Sequence, residues 1–250
     1  MKSKSPRKRL DLLLVERSLA DSQQKAQAMI LAGEIQVDGA PAVKAGMLVP
    51  ITANLEVTSR HQKYASRGGL KLEGALHDFS VDPAGKVCLD VGASTGGFTD
   101  CLLQHGATRV YAVDVNVDQL AWKLRQDSRV IRIERNAREL KLTDLDDLID
   151  LAVADVSFIA VCKILPALAA AVNSAADLFI LIKPQFELPR EDVGPGGIVV
   201  DESLHQKAIA AVRHSAQSLG LQCLDVRPSR ITGAEGNQEY FLHARKKPLR

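Results

Sequence analysis

The 250-residue sequence predicts a small α+β module followed by an α/β domain built on a mostly parallel, doubly wound sheet. Three observations carry that expectation. Two short amphipathic helices and a few short alternating segments are packed into roughly the first sixty residues. From residue 86 onward, apolar β runs alternate with helical patterns. The charge also changes: residues 1–63 hold ten Lys/Arg against six Asp/Glu, whereas the remainder holds 22 against 24.

In the front module, Arg9-Leu10-Asp11-Leu12-Leu13 opens a helix that places Leu10, Leu13, Leu14 and Leu19 on one face. Asp21-Ser22 supplies an N-cap for a second helix carrying Ala26, Met29 and Ile30, and Gly33 sits where a C-cap glycine belongs. Glu34-Ile35-Gln36-Val37 alternates like a half-buried strand, Asp38-Gly39 is a tight-turn signal, and Leu55-Glu56-Val57-Thr58 alternates again. The basic excess suits contact with a polyanion, although the Lys2–Arg9 run taken alone reads equally well as a solvated tail.

Residues 59–72 are polar and glycine-bearing, then become helical, so the expected division is a domain at 1–59, a linker at 60–66 and a second domain at 67–250. Strands are expected at Val87–Val91, Val110–Asp114, Val130–Ile133, Leu151–Asp155, Leu178–Ile182, Leu221–Val226 and Tyr240–Ala244, seven in all. Helices are expected at Gly97–Gln104, around Val161–Val172 and at Glu202–Leu219. The two successive β segments at the end imply an antiparallel hairpin on the sheet.

Composition excludes several classes. No apolar run approaches the ~20 residues of a membrane-spanning helix. The basic start is followed by an amphipathic segment rather than an apolar run with a cleavage site, so it does not read as a signal peptide, and the expected compartment is the cytoplasm. Cys88, Cys101, Cys162 and Cys223 are widely spaced and form no metal or disulfide pattern. Aromatic residues make up only 4%, too few for a surface that binds single strands by stacking alone.

Leu89-Asp90-Val91-Gly92-Ala93-Ser94-Thr95-Gly96-Gly97-Phe98-Thr99-Asp100 is the strongest local signal. The first turn of a doubly wound sheet sets a ligand against the following helix N-terminus, and glycines let the backbone pass close to it. Ser94 replaces the second glycine of a dinucleotide fingerprint, which counts against NAD. S-adenosylmethionine needs no pyrophosphate cradle; it needs space for a methionine moiety and an acidic group for its ribose, and Asp114 ends the next strand.

Four further segments place charged residues beside strand ends or in stiff loops: Arg67–Lys71, Ala154–Phe158, Ile182–Glu187 and Gly236–Tyr240. With these, and with Arg9-Leu10-Asp11, Ser22, Ala26, Ile30, Gly33 and Ile35–Gly39, the chain resembles the TlyA (hemolysin A) family over nearly its whole length. The front part is similar to the S4 RNA-binding domain and the rest to FtsJ-type ribose methyltransferases. The resemblance implies a Rossmann-like methyltransferase with a mostly parallel seven-stranded sheet, preceded by an S4-like RNA-binding domain. A terminal antiparallel hairpin is usual in methyltransferases of that fold. Three residues depart from the family pattern: Gln23 where Arg is usual, Pro195 where Lys is expected, and Arg230 where Pro is expected.

The family's Lys-Asp-Lys-Glu tetrad falls on Lys71, Asp155, Lys183 and Glu239. Its implied cofactor, S-adenosyl-L-methionine, would meet Arg67, Gly68, Asp90, Gly92, Ala93, Ser94, Gly96, Gly97, Phe98, Asp114 and Asp155. Arg7, Lys8, Arg9, Arg17 and Lys25 are the candidate RNA contacts. A ribose 2′-hydroxyl is a poor nucleophile, so Lys183 is the candidate to take or hold its proton. A lysine does this near neutral pH only when desolvation or a neighbouring cation disfavours its charged form. Lys71 is that cation, and Asp155 and Glu239 orient the two ammonium groups. The implied substrate is rRNA, at cytidine, in ribosomal subunits. Two readings compete: a membrane-active hemolysin, as one family label suggests, and a nicotinamide enzyme with an RNA-binding appendage.

Overall fold

The computed structural model describes residues 6–31, 33–42, 44–57, 63–233 and 235–247. They form two compact units that divide between Lys63 and Tyr64. Lys2, Ser59 and linker residues 60–62 lie outside the described residues.

The first unit runs β1 (Arg7–Arg9), α1 (Leu10–Glu16), α2 (Gln23–Leu31), β2 (Ile35–Val37), β3 (Ala40–Pro41), β4 (Leu48–Pro50) and β5 (Leu55–Val57). One small sheet pairs β1 antiparallel with β4; the other has the order β3-β2-β5. Asp38 and Gly39, both left-handed with φ of 51° and 81°, make the expected tight turn. Leu10, Leu13, Leu14, Ala26, Met29, Ile30, Ile35, Val49 and Leu55 share one core. The first helix stops at Glu16, ahead of a left-handed Ser18, so Leu19 reaches that core from a loop. The residues read as a basic tail end in β1, because Arg7–Arg9 pair in register with Leu48–Pro50.

The second unit begins with α3 (Gly68–Phe79), β6 (Val87–Val91), α4 (Gly97–Gln104), β7 (Arg109–Asp114), α5 (Trp122–Arg125) and β8 (Val130–Glu134). It continues with β9 (Leu151–Ala154), α6 (Leu165–Ala171), β10 (Asp177–Ile182), α7 (Pro184–Glu187), α8 (Glu202–Ser218), β11 (Leu221–Pro228) and β12 (Tyr240–Lys246). The sheet order is β11-β12-β10-β9-β6-β7-β8, the seven-stranded, mostly parallel sheet the sequence predicts. The closing hairpin is antiparallel, and β12 slots between β10 and β11. The Ala-rich helix is shorter than expected: a single turn at Val161–Lys163 precedes α6, which starts afresh at Leu165 with Pro166 in its first turn. A proline lacks the N–H that a continuous helix would need there.

Alternation along the central strands feeds two cores. Leu89, Val91, Tyr111, Val113, Ala152, Ala154, Leu178, Ile180 and Ile182 face α6 and α8. Cys88, Val110, Ala112, Leu151, Val153, Phe179 and Leu181 face α3, α4 and α5. Helix α3 sits close on α4 because two glycines meet: a Cβ on Gly97 would stand 2.2 Å from Ser66 Oγ and 3.0 Å from the Gly69 nitrogen. A Cβ on Gly69 would stand 2.3 Å from Tyr64 Cβ, a buried atom with no room to yield. Gly69→Ala is therefore expected to cost about 2 kcal/mol or more of stability, read as a lowered Tm. Gly68→Ala, whose new methyl would meet nothing nearer than 3.4 Å, should melt close to the parent.

Candidate active site

The same alternation decides where the chemistry goes. Val91, Val113, Ala154, Ile182 and Tyr240 point into the α6/α8 core. The next residue outward in each case, namely Gly92, Asp114, Asp155, Lys183 and Glu239, falls on the α3/α4 side at the ligand-binding edge of the sheet. Helix α3 crosses that side and brings Lys71 with it.

The tetrad forms two ion pairs. Lys71 Nζ donates to Glu239 Oε2 at 2.5 Å, with side chains 11% and 3% exposed. Lys183 Nζ lies 2.5 Å from Asp155 Oδ1 and donates to Ser157 Oγ at 2.8 Å. The Lys183 ammonium is thus shared between the Asp155 carboxylate and the Ser157 hydroxyl. Strand register sets the two pairs side by side: Ile182 opposes Tyr240 across β10/β12, so Lys183 and Glu239 are the next positions outward. Ala154 opposes Ile180 across β9/β10, and beyond β9 Ser157 lies within hydrogen-bond reach of Lys183.

A cavity of about 560 Å³ opens beside the cluster, within the size range of small-molecule sites. Gly92, Ser94, Asp114, Asp155 and Ser157 line it, together with Phe158. Asp114 accepts from the backbone N–H groups of Ser94 (2.9 Å) and Asn116 (3.0 Å), which fixes its carboxylate at the end of β7. Gly92, at φ 88°, is demanded by packing as well as by any ligand, because a Cβ there would stand 2.2 Å from the Asp155 carbonyl oxygen. Beneath the turn, Asp90 is fully buried: Thr99 Oγ1 donates to its Oδ2 at 2.6 Å, and its Oδ1 has no partner. Burial, only partly offset by Thr99, pushes the Asp90 carboxyl up to about 7.

Of the candidate cofactor residues, Gly92, Ser94, Asp114 and Asp155 form cavity wall, while Arg67, Gly68, Asp90, Ala93, Gly96, Gly97 and Phe98 do not. Gly97 serves the α3/α4 approach, Gly96 lies over Leu124, and Phe98 is buried beside Phe241. Arg67 is exposed and reaches the Thr232 carbonyl at 3.4 Å. Within the segment Ala154–Phe158 the sequence assigns a role only to Asp155, yet Ser157 and Phe158 also line the cavity, as do Val115 and, from the segment after β8, Asn136 and Arg138. Topology could have found that segment, since every turn at this edge of a doubly wound sheet borders the ligand crevice.

In the first unit, Arg7 and Lys25 are exposed and make no side-chain ion pair among the described residues. Lys8 pairs with Glu16 at 2.6 Å, and Arg17 donates to the carbonyls of Ala53 (2.7 Å) and Ile51. Arg9 grips the buried Asp11 through two hydrogen bonds, at 3.1 and 2.7 Å, and Gln23 and Gln27 donate to the same carboxylate at 3.0 and 2.9 Å. The Arg9 guanidinium leads in holding the Asp11 carboxyl far below its ordinary range.

Known proteins match both units. The FtsJ-like methyltransferase family matches residues 64–246, and the S4 domain matches residues 8–54. The chain is 47% identical over 241 residues to the 16S/23S rRNA (cytidine-2′-O)-methyltransferase TlyA of Mycobacterium tuberculosis, across 96% of this chain and 90% of that one. It is 43% identical over 237 residues to Hemolysin A of Brachyspira hyodysenteriae, across 94% and 98% of the two chains. A solved Streptococcus thermophilus protein described as a hemolysin superposes with a TM-score of 0.75 at 39% identity, covering 98% of this chain and 90% of that one. An S-adenosylmethionine-dependent methyltransferase from Mesorhizobium loti shares the fold of the second unit, with a TM-score of 0.55 at 16% identity over 72% of this chain and all of the other.

Asp90 makes stability depend on pH. Its folded-state value lies above the ordinary carboxylate range, so the folded protein holds the proton longer than the unfolded chain, and stability falls as pH rises through about 4 to 7. Asp90→Asn should gain on the parent by about 2 kcal/mol between pH 5.5 and pH 8, measured by urea unfolding at the two pH values.

Proposed function

Because the chain belongs to the FtsJ-like methyltransferase family, in its TlyA branch with an S4 domain in front, we propose that it methylates a ribose 2′-hydroxyl of rRNA, at cytidine, using S-adenosylmethionine. The observation that carries this reading is the pair of buried ion pairs, Lys71–Glu239 and Lys183–Asp155, set beside a cavity that Asp155 shares.

The residues suit the cofactor. Asp114 and Asp155 bring two carboxylates to a cavity that Arg135 and Arg138 also line, which suits a ligand carrying ribose hydroxyls, a positive sulfonium and a carboxylate. When bound, S-adenosylmethionine supplies a methyl group activated on its sulfonium. Everything else falls to the protein. Lys183 takes or holds the proton of the attacking hydroxyl, and Asp155 and Glu239 keep the two ammonium groups in place. Most of the rate comes from alignment of hydroxyl oxygen, methyl carbon and sulfur. The first unit docks on RNA by phosphate contacts, for which Arg7, Lys8, Arg9, Arg17 and Lys25 are the candidates. Ribosomal particles are the partner on this reading, and the cytoplasm is where it meets them.

The hemolysin reading has less to stand on. Among the described residues no helix is long and apolar enough to cross a membrane, and the buried Lys-Asp-Lys-Glu set has no part in lysis. A nicotinamide enzyme would leave the same tetrad idle.

Mapping of ribose methylation in rRNA from cells with and without the gene is expected to show at least one cytidine that loses its 2′-O-methyl group; an unchanged map sinks the reading. Lys183→Ala is expected to lower methyl transfer at least about 10³-fold. S-adenosylmethionine should still bind that variant within about threefold of the parent by calorimetric titration, since the ammonium faces Asp155 and Ser157 rather than the ribose-binding end.

A further inference from the structure

We propose that Ser157 is a positioning residue for Lys183: its hydroxyl fixes the direction in which the ammonium, or its lone pair after proton loss, meets the substrate. This inference rests on the methyltransferase reading of the site. An aminoalkyl nitrogen has three directions besides its carbon. At Lys183 one is spent on Ser157 Oγ, the acceptor of a directed hydrogen bond at 2.8 Å. Asp155 lies nearer, at 2.5 Å, and balances the charge, so carboxylate and hydroxyl together decide where the remaining direction points. Lys71 donates to its own carboxylate partner, Glu239.

The segment that carries the hydroxyl is anchored to the strand end that carries the lysine. Ser157 lies beyond β9 within hydrogen-bond reach of Lys183 and also lines the cavity, so it touches both the base and the space where reactants gather. The residue after it, Phe158, is left-handed at φ 64° and turns the chain, its exposed ring approaching Phe186 of α7 at 5.5 Å. Beyond that bend, the Val161 N–H donates to Glu187 Oε1 at 2.6 Å. Glu187 ends α7, which directly follows Lys183, so the Ser157 segment is tied back to the strand that carries the lysine. A long, freely rotating lysine without Ser157 would settle on Asp155 alone and point its remaining directions elsewhere.

The test compares wild type, Ser157→Ala and Ser157→Thr as full chains, with ribosomal subunits from cells lacking the gene and methyl-labelled S-adenosylmethionine. Ser157→Ala is expected to lower kcat about 10- to 100-fold while KM and cofactor affinity stay within about threefold, and Ser157→Thr is expected to recover most of the loss. A second readout needs no turnover: acetylation by acetic anhydride, followed by peptide mass spectrometry. Lys183 should react about threefold faster or more in Ser157→Ala, with Lys71 unchanged as the internal control, and the threonine variant should reverse the change. The proposal is overturned if kcat stays within twofold of wild type, if Lys183 reactivity does not change, or if Lys71 and cofactor affinity shift in parallel. A wild type that transfers no methyl group would instead defeat the methyltransferase reading, and the acetylation contrast would still decide whether Ser157 holds Lys183.

Discussion

The two-residue period of strands buried on both faces is the constraint on which the second unit depends. Each central strand hands alternate side chains to the α3/α4/α5 core and the α6/α8 core. A residue just past a strand end therefore inherits its side from the strand behind it. Asp114, Asp155, Lys183 and Glu239 all inherit the side that α3 crosses, and α3 adds Lys71. A slip of one residue in any of those strands would send its functional group to the opposite face. Helix α3 in turn lies where it does because Gly69 and Gly97 let two helices approach without Cβ atoms between them.

The site is assembled at a cost. Buried ion pairs such as Lys71–Glu239 gain little net stability, since desolvation offsets much of their attraction. Asp90, fully buried with one hydroxyl donor, carries a charge that burial disfavours. Ser94 and Phe158 hold left-handed backbones on either side of the cavity. Such burdens cluster along one edge of an otherwise well-packed sheet, a distribution expected where geometry has been kept for chemistry rather than for stability.

Much of this was legible in the sequence. The strands Val87–Val91 and Val130–Ile133 and the helix Gly97–Gln104 announce themselves through runs of apolar residues and glycine punctuation, and each forms within about one residue of its expected bounds. The pairing of β1 with β4 was not legible. Arg7-Lys8-Arg9 carries no apolar alternation, and only a partner distant in sequence makes a strand of it. Gly96, Gly97 and Phe98 look like ligand contacts because they lie in a glycine-rich turn, and they also pack α3, α4 and α5, a second demand that no local pattern reveals. Ser157 was hidden for a similar reason: its meaning lies in the pairing of β9 with β10, beyond which it comes within hydrogen-bond reach of a lysine 26 residues away. Gln23 shows how a departure from a family pattern takes on local sense, since its amide is spent on the buried Asp11.

The order of the strands has a consequence for synthesis. The final strand, β12, does not add to the rim of the sheet; it fills a slot between β10 and β11, and the residue just before it is Glu239. Until that segment emerges, β10 presents an unpaired edge of six buried apolar and acidic residues, and Lys71 lacks its carboxylate. Of the strands in this sheet β12 comes last in the chain, so a growing chain passes through a stage in which the sheet edge is open and the Lys71–Glu239 pair unmade, and one late segment completes both.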